Sequence, residues 1–149
     1  IRDMDTAHRF TLICRDLSEL STYAVFDTPT YRLLKANTPG AYAFVLEATK
    51  EVPRRLLDPK RKTIGLRVPD HPIALALLGE LNAPMMTSSL ILPGEDMAIT
   101  DPIDIRDRLD REVDAIVDGG ICSATPTTVV DLTADPPVHR VIPCMYGTR

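Results

Sequence analysis

The chain has 149 residues, 44% hydrophobic and 26% charged, which is room for one domain with a sizeable core and the composition of an ordinary globular protein. Its formal net charge of −4 argues against nucleic-acid binding driven by overall charge, and no apolar run approaches the roughly 20 residues that cross a bilayer. Cys14, Cys122 and Cys144 are odd in number and lack metal-ligand spacing, so free thiols in a reducing, cytoplasmic compartment are expected, and no signal peptide is visible.

Phe10 to Cys14 is a short apolar run that predicts a strand. Asp16 followed by Glu19 has the spacing of a helix cap, and the helix would bury Leu17, Leu20 and Tyr23. Pro29 at a helix start predicts a second helix from about Thr28 to Ala36, broken by Asn37-Thr38-Pro39-Gly40. Ala41 to Ala48 is the next strand candidate, and Pro53 to Leu57 is one turn at most. Residues 63–68 predict a strand leading into a helix capped by Asp70, with Pro72 near its first turn and its end at Leu81. Met85 to Ser89 predicts another strand. Asp101-Pro102 opens an amphipathic helix with Ile105, Leu109 and Val113 on one side. Asp114 to Val117 and Thr127 to Leu132 complete the strands, with a turn at Gly119-Gly120. Strands alternate with helices, which predicts α/β layers around a mixed sheet. No repeat or linker divides the chain, so 1–149 reads as a single domain.

Chemistry concentrates in three segments. In Thr63-Ile-Gly-Leu-Arg67-Val-Pro-Asp70 an apolar strand carries one arginine, and a charge held there must be paired or face a ligand. Either Arg67 makes a structural ion pair, or it captures a carboxylate or phosphate in bidentate fashion. Met86-Thr87-Ser88-Ser89 and Pro126-Thr127-Thr128-Val129 place hydroxyls at the mouths of apolar strands. Such hydroxyls either close the strand end on backbone groups or contact a ligand. Lys50, Arg54, Arg55, Lys60, Arg61 and Lys62 put six cations within 13 positions, read as a solvated face or as a phosphate or RNA footprint. His8, His71 and His139 do not cluster with the cysteines, and no glycine-rich phosphate loop occurs.

Together the Leu-Arg67-Val-Pro run, the Ser89 strand end and the Pro-Thr127-Thr-Val run resemble the YrdC/YciO family, the threonylcarbamoyl-AMP synthase superfamily, and within it the YciO-like branch. The likeness runs from about Ile1 to Val138 and implies a YrdC-like twisted mixed sheet flanked by helices, with a concave basic cavity. It also implies that the chain begins inside a helix, after a first strand that is not in this sequence. In the family, threonine, bicarbonate and ATP give threonylcarbamoyl-AMP and diphosphate, and the product modifies adenosine 37 of tRNA. By this resemblance Arg67, Thr87 and Thr127 meet threonine, while Arg2, Ser89 and Arg140 meet the nucleotide. Magnesium would arrive with ATP, since it bridges phosphates and needs few protein ligands.

The sequence also departs from the family. The Ser-Ala-Asn of the family is Ser89-Leu90-Ile91 here, and an isoleucine replaces neither the donors nor the acceptor of an amide. Arg2 is similar to the first cation of a Lys-x-Arg phosphate motif whose second position is Met4. The leading expectation is therefore a nucleotide- and RNA-associated protein of the threonylcarbamoyl-AMP synthase type, a nucleotidyltransferase if active. The alternative is a non-catalytic module that holds double-stranded RNA or tRNA through Arg54, Arg55, Lys60 and Lys62. A third reading is an inactive remnant of the fold.

Overall fold

The computed structural model describes residues 10–58, 60–123, 127–134 and 137–141, with only the backbone of Arg55 and of 139–141. The elements are β1 (Thr11–Ile13), α1 (Leu17–Tyr23), β2 (Ala24–Val25), α2 (Thr28–Asn37), β3 (Tyr42–Ala48), a 3-10 turn (Arg54–Leu56), β4 (Thr63–Arg67), α3 (Pro72–Leu81), β5 (Met85–Thr87), α4 (Pro102–Leu109), β6 (Thr128–Asp131) and β7 (Val138–Val141). Local chemistry sets the helix starts. Asp16 Oδ1 accepts the Glu19 N–H at 2.8 Å and Glu19 Oε2 accepts the Arg15 N–H at 2.6 Å, a reciprocal cap that satisfies donors the helix itself cannot. Asp27 and Asp101 cap α2 and α4 by accepting the Thr30 and Ile103 N–H groups, each with a proline in the first turn. Among the described residues no helix is long and apolar enough to cross a membrane.

The strands form one mixed sheet in the order β5-β1-β4-β3-β6-β7. β1 with β4 and β3 with β6 are parallel, and the other pairs are antiparallel. β2 pairs with β3 at Ala48 and Glu47, beyond the point where β6 ends opposite Val45. Successive residues of a strand face opposite sides, so the register sorts the sheet into two faces. One carries Leu12, Ile64, Leu66, Phe44 and Leu46, all 4% exposed or less, and packs with Leu20 and Leu34 of the helices. The other carries Thr11, Thr63, Gly65, Arg67, Thr87, Val129 and Asp131. Cys14 lies in the helix-covered core, and burial, with Glu19 and then Asp16 adding to it, pushes its thiol up to about 12. It therefore behaves as a small core hydrophobe and not as a nucleophile.

The structure departs from the sequence pattern at several points. Asp70 does not cap α3; the N-cap is His71, with no side-chain bond, because Pro72 takes the first helical position and leaves Asp70 one residue too early. Asp114 to Val117 forms no strand. Gly119, two residues beyond it, comes down against Ile73 of α3 instead. Val113 falls past the end of α4, in a turn closed on the Leu109 carbonyl. β5 stops at Thr87, since Ile91 N–H turns back to the Ser89 carbonyl at 3.0 Å. β2 and β7 were not expected from the sequence, being short runs that exist through their partners.

One ion pair ties the basic turn to the sheet. Arg61 Nη1 lies 3.0 Å from Asp131 Oδ2, and its Nη2 donates to Thr133 Oγ1. Burial alone would raise the Asp131 carboxyl, but hydrogen bonds from Thr133 and Arg61, with the Arg61 charge, hold it below the usual carboxylate range. A depressed carboxyl stabilises the fold above its unfolded value, about 4, and the contribution fades as pH falls through the lower folded value. The urea-melt difference between wild type and Asp131→Asn should therefore be at most about 1 kcal/mol at pH 7 and should shrink below about pH 4. A gap that widens with acid would contradict this pairing. Phe44→Ala, at a fully buried site, should destabilise by about 3–5 kcal/mol in the same melts.

Candidate functional site

Arg67 ends β4 on the face of the sheet opposite Leu12, Leu66 and Phe44, where its guanidinium is half-buried. Its Nε donates to the Gly40 carbonyl at 3.1 Å and its Nη1 to Thr127 Oγ1 at 3.2 Å. Burial lowers its pKa from the ordinary arginine value, yet a guanidinium stays cationic at neutral pH. Among the described residues no carboxylate forms an ion pair with it. A guanidinium has five N–H donors. Two are engaged here, which leaves Nη2 and one Nη1 hydrogen to take two oxygens of a planar anion side by side.

The loop before β3 builds this arrangement. Asn37 Nδ2 and Thr38 Oγ1 donate to the Leu33 and Leu34 carbonyls, each at 2.8 Å, and close the last turn of α2. The chain then passes through a cis Thr38-Pro39 bond to Gly40. Gly40 N–H donates to the Val68 carbonyl at 2.9 Å, and the Ala41 carbonyl accepts the Thr128 N–H at 3.0 Å. Gly40-Ala41 thus touches both strands that supply Arg67 and Thr127. In the sequence Asn37-Thr38-Pro39-Gly40 signals only a helix break, because a backbone carbonyl acting as an acceptor has no residue signature.

The structure therefore brings Arg67 and Thr127 together. It separates them from Thr87, which pairs with Thr11 while Arg67 pairs with Ile13. Two rungs along and two strands across amount to roughly 12 Å between backbones. Thr87 Oγ1 donates to the Thr11 carbonyl at 3.0 Å, so its oxygen is left to accept. Ser89 is exposed beyond β5, and Ile91, two residues on, is 5% exposed in the apolar interior. Arg140 lies in β7 opposite Val129 on the backbone register. Arg2 lies outside the described residues, as does the Arg55 side chain.

In the basic stretch Arg54, Lys60 and Lys62 are exposed. Asp58 Oδ1 accepts the Lys60 and Arg61 N–H groups, both at 2.9 Å, and Lys62 takes a left-handed conformation with φ 53°. Among the described residues no acid pairs with Lys50, Arg54, Lys60 or Lys62, whereas Arg61 is committed to Asp131. No group of three or more His, Cys, Asp or Glu side chains could hold a metal among the described residues. A groove of about 310 Å³ opens between α1, α2 and α3, walled in part by Arg15, Tyr31, Lys35 and Thr38, and Arg67 is not in its wall.

Known proteins share this arrangement of sequence and fold. A model for Sua5, YciO and YrdC proteins, described as telomere recombination, matches residues 1–141. YciO of Escherichia coli K12, an uncharacterized protein, is 58% identical over 138 residues, 93% of this chain and 67% of the relative. Its crystal structure superposes with a TM-score of 0.86 over the same shares of the two chains. A threonylcarbamoyl-AMP synthase of Bacillus subtilis is 32% identical over 107 residues, 71% of this chain and 31% of that one. The fold is also that of P. abyssi Sua5 complexed with L-threonine, with a TM-score of 0.83 at 24% identity over 93% of this chain and 41% of the other. The chain spans about two thirds of the YciO relative, and with the family model matched across nearly its whole length and the YrdC-like sheet in place, it belongs to the Sua5/YciO/YrdC family.

Proposed function

We propose that this chain binds L-threonine, or an amino acid of that kind, by its carboxylate at Arg67, with ATP·Mg²⁺ alongside, as a threonylcarbamoyl-AMP synthase-like protein of tRNA t6A modification. The observation that carries the reading is the half-buried Arg67, held by Gly40 and Thr127 and left with donors for a bidentate anion. The name of the 32% identical synthase supports the substrate class, and the threonine complex of P. abyssi Sua5 has the same fold. Thr127 would shape the carboxylate end and Thr87 would accept from the far end of an extended ligand. Ser89, Arg2 and Arg140 would meet the nucleotide. Among the described residues no group of three or more His, Cys, Asp or Glu side chains could hold a metal, so magnesium would be held chiefly by the phosphates and water. Positioning and charge stabilisation are the chemistry such a set can supply. The buried Ile91 removes the amide contact of the family pattern, which supports weaker nucleotide contact than in the synthases.

Isothermal titration of L-threonine and of ATP·Mg²⁺ tests this. Arg67→Ala should weaken threonine binding by about 10–100-fold, the range for a charge-assisted bidentate contact, and Arg67→Lys should recover only part of it. A folded wild type that binds no threonine overturns the reading.

A second reading rests on Lys50, Arg54, Lys60 and Lys62, exposed and with no acid paired to them among the described residues. These cations would hold double-stranded RNA by its phosphates, which makes binding salt-dependent and poorly sequence-selective. Reversing the charges of Arg54, Arg55, Lys60 and Lys62 together should abolish retention of an RNA duplex at low salt. Unchanged affinity would dismiss this surface.

A further inference from the structure

We infer that Gly40 is a positioning residue for Arg67, and that the Gly40-Ala41 backbone sets the guanidinium-to-Thr127 geometry on which carboxylate binding depends. The inference rests on the Arg67 reading above and deepens it. The Gly40-Ala41 dipeptide is fixed at three points. The Gly40 N–H donates to the Val68 carbonyl at 2.9 Å, the Gly40 carbonyl accepts Arg67 Nε at 3.1 Å, and the next carbonyl, of Ala41, accepts the Thr128 N–H at 3.0 Å. One dipeptide therefore holds the end of β4, the arginine on it, and the start of β6 beside Thr127. Without the Nε bond the guanidinium could rotate about its long side chain. With it, Nη1 reaches Thr127 Oγ1 at 3.2 Å and Nη2 is aimed at a fixed point.

The need for glycine is a close approach and not a left-handed backbone. A Cβ at Gly40 would stand 2.9 Å from the Asn37 carbonyl oxygen and 3.5 Å from Tyr42 Cδ2. The Asn37 carbonyl cannot easily yield, because the side chains of Asn37 and Thr38 clamp the last turn of α2 to the Leu33 and Leu34 carbonyls. The 38–40 loop must move instead, and it takes the Gly40 carbonyl away from Arg67 Nε. Gly79, in α3, offers the contrast, since a Cβ there meets nothing within 4 Å.

Gly40→Ala should weaken L-threonine binding by about tenfold, the factor that goes with one charge-assisted hydrogen bond, and leave ATP·Mg²⁺ binding as it was. Its Arg67 Nε–Hε NMR resonance should move to the position of a solvated guanidinium while most backbone amides stay in place. Gly79→Ala should change neither ligand's affinity nor that resonance. Threonine affinity and an Nε resonance unchanged in a folded Gly40→Ala overturn the inference even when wild type binds threonine. A wild type that binds no threonine defeats the underlying reading instead, and the resonance still reports on positioning. Where Gly40→Ala does not fold, the through-hydrogen-bond coupling between Arg67 Nε and the Gly40 carbonyl carbon in wild type decides. It should persist with threonine bound, and its loss on binding overturns the inference.

Discussion

The two-residue alternation of β4 is the constraint on which the rest of this molecule depends. In Thr63-Ile64-Gly65-Leu66-Arg67 the apolar pair Ile64 and Leu66 is buried to 2% and 0% exposure, and the burial of such side chains stabilises by about 1.5–3 kcal/mol each. That preference fixes the register, because a slip of one residue would turn the pair to the opposite face and drive Arg67 in among Phe44, Leu20 and Leu34. β1 and β3 are locked to the same alternation through Leu12, Phe44 and Leu46. The core thus holds Arg67 on the opposite face without itself contacting it.

Two arginines near the ends of β4 show how context divides one side chain between structure and function. Arg61 meets a carboxylate, Asp131, and a hydroxyl, Thr133, and its charge is used up in tying the 58–62 turn to β6. Arg67 meets a carbonyl and a hydroxyl, both neutral. Neutral acceptors orient a guanidinium without cancelling its charge, and partial burial strengthens the pull on an anion. The second arrangement is the one suited to an anion.

The likeness to E. coli YciO and the departure from the Ser-Ala-Asn pattern meet in the loop after β5. Ile91 is buried there, and its N–H turns back to Ser89. An isoleucine that anchors a loop in the core stabilises it by apolar burial, where an asparagine would present an amide. The Arg67–Thr127 pair does not rest on this loop, being held by β4, the chain leading into β6 and the 38–40 loop.

By itself the sequence determined the elements whose causes are local. The Asp16 cap with Glu19, the Pro29 helix, the apolar strands at 42–48 and 63–67, and Arg67 as an out-of-place charge all follow from neighbours a few positions apart, and the YrdC/YciO resemblance followed from the motifs that hold them. Tertiary structure alone decided what depends on partners distant in the chain. Asp114 to Val117 had strand composition but pairs with no strand, while β2 and β7 had little signal and gained one from β3 and β6. Thr127 and Thr87 looked alike in sequence, yet the register set one beside Arg67 and the other two strands away. The Gly40 carbonyl, which fixes the guanidinium, belongs to the backbone that every residue shares. Its role arises from where the chain folds it, 27 positions from Arg67.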